Sequence, residues 1–220
     1  MVPLQSLSYM EVEEKKAEDR HVVVLLLLKP EDDIADSILR RFNYLHQRSK
    51  GVVSIYLPGY GFGDDFNYAD TVPISGPNNS SWYYSDACFI EVIDELDRRL
   101  SNWYYSGEPE LILLQNNPDG KGSSLYFKNY YCINLIEGIK KNYIRSFDAF
   151  MEQLIRACRK EVTSDEVVTD IARKNISIRR VLNALVESII ERNAFTESAI
   201  GIIKDVQFIQ SCRRTERNCV

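Results

Sequence analysis

Seven consecutive apolar residues, 22–28, constrain this chain more than any other feature. The run Val-Val-Val-Leu-Leu-Leu-Leu does not alternate, so a strand made from it must be covered on both faces, as in a parallel α/β sheet. It is also far short of the ~20 apolar residues that a membrane helix requires. Pro30 with Glu31, Asp32 and Asp33 then opens a helix in the favourable sense of its dipole. Ile34, Ile38, Phe42 and Leu45 recur at helical spacing, and Gly51 stops the segment. A second apolar strand follows at 52–57. Such a strand–helix–strand unit forms a parallel pair with a right-handed crossover.

The remaining segments extend this plan. Pro58-Gly59-Tyr60-Gly61-Phe62-Gly63-Asp64-Asp65-Phe66 follows the second strand. A dinucleotide-binding fingerprint must follow the first strand and lead directly into a helix, and this stretch does neither. It reads as a mobile, aromatic-tipped loop at the carboxyl edge of the sheet, where ligands of open α/β sheets bind and where glycines permit hinge motion. A short apolar segment at 72–74, a polar turn at 75–81 and the triplet Trp82-Tyr83-Tyr84 precede a helix over 85–100. Ser85 is its expected N-cap, and Cys88, Val92, Leu96 and Leu100 form its stripe, with Phe89 and Ile93 beside them. Strands are expected at 111–114 and 124–133, and a helical stripe runs through Ile139, Tyr143, Phe147, Phe150, Leu154 and Cys158. The order defines an α/β doubly wound, mostly parallel sheet. Beyond Lys160 strands give way to helices, read at 164–174, 177–192 and 196–211.

The chain therefore divides into an N-terminal arm (1–20), an α/β domain (21–160), a helical appendage (161–212) and a basic tail (213–220). A net charge of −5 and a pI near 5.2 argue against wholesale nucleic-acid binding. Five scattered cysteines without a C-x-x-C pair fit reduced thiols rather than disulfides or zinc, and two distant histidines do not suggest a metal centre. No basic-then-apolar leader opens the sequence, so a cytoplasmic protein is expected.

Glu91 lies in the second turn of the 85–100 helix, about 60° from Cys88 and about 100° from Val92, at the edge of the apolar stripe. A carboxylate at the rim of a core beside an aromatic-rich loop suits a tuned acid or nucleophile. A boundary glutamate in a helix's early turns has the same spacing. Cys88 reads as a core thiol. The Trp-Tyr-Tyr triplet suits either a pocket wall or packing under the loop.

The segment Ser85-Asp86-Ala87-Cys88-Phe89-Ile90-Glu91-Val92 resembles the Ser-x-Trp-Cys-x-x-Glu-Leu motif of Toll/interleukin-1-receptor (TIR) domains. The strand–helix–strand unit and Gly-rich loop before it also lie in that family's order. Ala87 stands where tryptophan is common, Val92 replaces leucine, and the loop over 58–71 is long. The resemblance covers residues 20–160 and implies a flavodoxin-like sheet whose Gly-rich loop flanks a nucleotide pocket. In the enzymatic members, many of them bacterial antiviral effectors, the motif glutamate serves cleavage of NAD at the nicotinamide–ribose bond. Carried over, Glu91 is the catalytic residue, NAD is a substrate rather than a cofactor, and Gly59, Tyr60, Gly61, Asp64 and Ser75 border the pocket. Trp82, Tyr83 or Tyr60 would stack on nicotinamide, while Asp64, Asp65 and Asp86 would orient ribose hydroxyls. The same layout fits nucleoside deoxyribosyltransferase-like relatives, which also set a carboxylate against an N-glycosidic bond.

Two other functions follow from the residues. A TIR-like adaptor would use the same surfaces to recruit other chains. Residues 168–185 resemble a helix–turn–helix in which Arg179 and Arg180 face DNA. Few basic side chains cluster there, however, and Glu187 and Glu191 follow at once. A helical bundle for self-association or partner docking is the plainer reading of these C-terminal helices.

Overall fold

Every residue of β2 (Val22–Leu27) is buried, as the unbroken apolar run requires. In the computed structural model, which describes residues 1–32, 34–63, 66–117, 123–161, 163–174 and 209–211, this strand lies inside a six-stranded sheet. The sheet order is β1 (Val2–Leu4), β3 (Ser54–Pro58), β2, β7 (Glu110–Asn116), β8 (Leu125–Asn134) and β9 (Ile209–Ser211). β1, β3 and β2 run parallel, which realises the expected strand–helix–strand unit. β2–β7, β7–β8 and β8–β9 are antiparallel, so the class is mixed α/β and the sheet is not mostly parallel. The stretch between β7 and β8 is too short to hold a crossover helix, and an antiparallel return is what it permits.

The first twenty residues are part of this body rather than an arm. β1 pairs with β3, and α1 (Leu7–Lys15) is capped by Ser6, whose hydroxyl accepts from the Tyr9 amide. Leu4, Leu7 and Met10 are fully buried. The expected helix after β2 is two helices, α2 (Ala35–Leu39) and α3 (Phe42–Ser49). The long helical stripe after β8 is likewise divided into α5 (Leu135–Lys140) and α6 (Phe147–Cys158), with Asn142 between them in the left-handed region at φ 57°. Ser164–Lys174 forms α7, as expected. Residues 209–211 are strand β9 rather than the end of a helix, and the expected helix at 177–192 lies outside the described residues.

The glycine-rich stretch is not simply a loop. Residues 60–62 form β4 (Tyr60–Phe62), which joins β6 (Ser81–Tyr84) and β5 (Val72–Ser75) in a separate antiparallel sheet of order β4-β6-β5. A 3₁₀ turn, Pro77–Asn79, connects β5 to β6. Helix α4 (Asp86–Arg99) leaves directly from β6. It packs on α1, where Arg99 bridges Glu11 at 3.0 Å and Glu95 at 2.9 Å, and the Leu7 amide donates to Glu95 at 3.2 Å. α3 and α6 are joined by ion pairs from Arg41 to Asp148 at 3.0 Å and from Arg48 to Glu152 at 3.1 Å.

Candidate functional site at the carboxyl edge of the parallel strands

β2 has the parallel strand β3 on one side and the antiparallel strand β7 on the other, so the carboxyl ends of β2 and β3 and the start of β7 share one edge of the sheet. In open α/β sheets the crevice outside such strand ends is where ligands bind. Lys29, just past β2, places its Nζ 2.8 Å from Asp86 Oδ1 and 5.3 Å from the centroid of the Phe89 ring. The Tyr84 hydroxyl donates to the same Asp86 oxygen at 2.8 Å. Hydrogen bonds from Lys29 and Tyr84 hold the Asp86 carboxyl below its usual pKa, so it is ionised at neutral pH.

The start of α4 is fixed by its neighbours. Ser85 Oγ accepts from the Cys88 amide at 3.1 Å and donates to Asp70 Oδ1 at 2.5 Å, while Asp70 Oδ2 accepts from the Ala87 amide at 2.9 Å. These bonds lower the Asp70 pKa. Ser85→Ala removes both a cap and the hydroxyl that orients Asp70. It is expected to cost about 1–2 kcal/mol in urea unfolding, and a loss under about 0.3 kcal/mol would show the cap to be dispensable.

Glycine at 59 is explained by close approach. Its φ is 80°, its amide donates to the Leu4 carbonyl at 3.0 Å, and its carbonyl accepts from the Ser85 amide at 2.9 Å. A Cβ there would lie 2.7 Å from Phe89 Cβ and 2.9 Å from Tyr84 Cε2. At Gly61 a Cβ would strike the Phe66 ring. Tyr60 and Trp82 are buried, with ring centroids 6.3 Å apart, and both pack on Phe42. Their ring faces are used in packing rather than presented for stacking on a base. Tyr83 is half-buried and borders a hollow of about 470 Å³ with Phe62, Gly63, Ser80, Ser81 and Trp82. Ser75 is exposed at the end of β5, opposite Ser81. Asp64 and Asp65 lie outside the described residues, as do Arg179 and Arg180.

Glu91 is exposed, and its Oε2 accepts from the Tyr68 hydroxyl at 3.0 Å. It borders neither the hollow beside Tyr83 nor the one described below. Cys88 is fully buried and its thiol pKa is raised by burial, as befits a core thiol. The edge also holds groups that the sequence did not single out. Tyr105 packs its ring 5.5 Å from Phe89. Glu110, at the first position of β7, is 4% exposed and accepts from Trp103 Nε1 at 3.1 Å and from the Ser106 amide at 3.2 Å. Burial raises its pKa despite these donors. Position was the available signal for Lys29, since the residue just after a buried parallel strand sits at the ligand-binding edge.

A second polar network stands at the opposite edge. His21 Nε2 is 3.0 Å from Ser54 Oγ and 2.9 Å from Glu14 Oε2, an ion-pair distance without hydrogen-bond alignment. Glu14 Oε1 accepts from the Tyr56 hydroxyl at 2.7 Å, and Asn116 Nδ2 is 2.9 Å from His21 Nδ1. Burial opposes both charges. The pairing nevertheless leaves the Glu14 pKa lowered and the His21 pKa raised. A hollow of about 520 Å³ opens beside His21 and Ser54.

Fold and edge together define a mixed α/β protein with a polar, tyrosine-rich cluster at its strand ends. Comparisons with protein-family models, curated proteins and solved structures find no match for the chain. Among the described residues no group of three His, Cys, Asp or Glu side chains could hold a metal ion, and no helix is long and apolar enough to cross a membrane.

Proposed function

We propose that the chain is a TIR-like NAD glycohydrolase, built on a flavodoxin-related sheet and serving as an effector or signalling component of bacterial antiviral defence. The observation that supports this reading is that two carboxylates in the first two turns of α4 are each held by a phenolic donor. Asp86 is held by Tyr84 and Lys29, and Glu91 by Tyr68. In the reaction the C1′–N bond of the nicotinamide ribose breaks, and its electron pair leaves on neutral nicotinamide. A carboxylate stabilises the positive charge that develops on the ribose. Water then adds at C1′ and gives up a proton, yielding ADP-ribose.

Glu91→Gln is expected to lower nicotinamide release from NAD by about 100-fold or more, measured by chromatography on protein whose melting temperature is unchanged. Full activity in that variant, or no release by the wild type in any assembly state, would overturn the proposal. A non-catalytic adaptor is the second reading, favoured by the exposure of Glu91 and by Val12 and Ile90, which are 55% and 52% exposed on the packed helices α1 and α4. An adaptor would release no nicotinamide and would change mass in light scattering on mixing with its partner.

A further inference from the structure

The hollow beside His21 and Ser54 lies where the C-terminal ends of three helices meet the amino ends of β2 and β3. Ala17 and Glu18 follow α1, and Gly51 follows α3. Cys158 closes α6, with Arg159, Lys160 and Glu161 directly after it. The topology produces this convergence, because helices that cross between parallel strands end at the edge from which the next strand starts. Each helix end carries roughly half a negative charge on its last carbonyl groups. At the floor, the His21 imidazole is matched by the Glu14 carboxylate 2.9 Å from its Nε2, and that nitrogen lies 3.0 Å from Ser54 Oγ. The helix ends therefore set the sign of the inner hollow, which suits an ammonium group.

The charges lining the hollow narrow the ligand. Glu18, Asp19 and Glu161 are acidic, and Arg20, Arg159 and Lys160 are basic. The side chains of Glu18, Arg20, Arg159, Lys160 and Glu161 form no ion pair or hydrogen bond among the described residues, so they have not cancelled one another. Three charges of each sign disfavour both a polyanion and a polycation, and they complement a ligand that carries one charge of each sign. A guanidinium group offers a carboxylate two parallel hydrogen bonds. Metal binding is not favoured, since no three His, Cys, Asp or Glu side chains converge among the described residues. Val52, Val53 and Cys158 supply an apolar share of the wall. The volume of about 520 Å³ falls within the roughly 300–1,000 Å³ of small-molecule sites.

We infer that this hollow binds a small zwitterion of the amino-acid class. Its ammonium faces the helix ends and the carboxylates of Glu18 and Glu161, and its carboxylate meets the guanidinium groups of Arg20 and Arg159. The site lies at the opposite edge of the sheet from Asp86 and Glu91 and does not depend on the glycohydrolase reading. Thermal unfolding of the full chain with each of the common free amino acids at about 10 mM is expected to show a raised melting temperature for at least one. Calorimetric titration then compares that amino acid with its N-acetyl and its carboxamide forms. Each blocked form is expected to bind about 10-fold or more weakly, because it lacks one of the two charges. Arg20→Gln with Arg159→Gln is expected to weaken the amino acid about 10-fold and to leave affinity for the carboxamide form unchanged. Glu18→Gln with Glu161→Gln is expected to weaken the amino acid similarly and to leave affinity for the N-acetyl form unchanged. All four positions are exposed or half-buried, so both double variants are expected to melt as the wild type does.

No rise in melting temperature with any of the amino acids would overturn the inference. An N-acetyl form that binds as tightly as its parent would reveal a plain anion site, and an equally tight carboxamide would reveal a plain cation site; either result rejects the zwitterion. Unchanged affinity for the amino acid in both double variants would place its binding elsewhere and overturn the assignment. A wild type that binds the amino acid, discriminates against both blocked forms and loses affinity in both double variants upholds it, whether or not the protein releases nicotinamide from NAD.

Discussion

Replacing Glu14 by alanine is expected to destabilise the fold by about 3–5 kcal/mol, the range for breaking a buried pair by removing one partner. Glu14 is 2% exposed, and it joins α1 to two strands at once, through His21 at the start of β2 and Tyr56 within β3. The alanine variant leaves the Tyr56 hydroxyl buried without its acceptor and the His21 imidazole without its counter-charge. Urea unfolding at pH 6 measures the loss, and a change below about 1 kcal/mol would show that the pair is not coupled to folding.

The same pair sets a pH window. The folded-state pKa of His21 is raised above 6.5, so its contribution is complete below 6.5 and is lost as pH rises through the folded value. The folded-state pKa of Glu14 is lowered below 4.5, so its contribution is complete above 4.5 and is lost as pH falls through the folded value. Their joint contribution is therefore expected to be greatest between pH 4.5 and 6.5. Glu14→Gln should flatten the alkaline decline in stability. A variant that keeps the wild-type slope above pH 6.5 would assign that slope to other groups.

Gly59→Ala is expected to cost about 2–4 kcal/mol, combining a left-handed backbone with a forced contact. The new methyl would meet Phe89 Cβ at 2.7 Å, against backbone already bonded to Leu4 and Ser85. Relief requires moving the chain at Gly59 away from Phe89 and Tyr84. The unfolding midpoint in urea should therefore fall. Gly63→Ala is the control, since its φ is 75° but a Cβ there meets nothing within 4 Å. Strain alone gives about 1–2 kcal/mol, and equal losses at the two glycines would remove the packing argument.

Legibility in the sequence followed how local each determinant was. The buried strand β2, the stripe of α4 with its Ser85 cap, and the span of α7 were readable because they depend on periodicity and on residues three or four apart. The carboxyl edge was readable as a region, since glycines, aromatics and acids crowd the stretch between β3 and α4. The role of its members was not. Tyr60 and Trp82 look alike in sequence whether they wall a pocket or pack against Phe42, and only their ring contacts distinguish the two. Glu91 has a motif's spacing, yet its exposure depends on what packs around the second turn of α4. The network of Glu14, His21, Ser54, Tyr56 and Asn116 joins residues up to about a hundred positions apart and left no sequence pattern at all.

By itself the sequence determined that a two-faced buried strand needs helices and neighbouring strands around it, and therefore that the class is α/β. It also determined where α4 begins, because an N-cap is a contact between residues three apart. Only the tertiary structure decided that the sheet is half antiparallel, that the first twenty residues belong to the core, and that the glycine segment is a strand of a second sheet. Strand direction and edge order arise from pairing between distant segments, whose energy lies in contacts that no local pattern encodes. The same reason governs the site: Lys29 and Asp86 are 57 residues apart, and folding alone brings their charges to 2.8 Å.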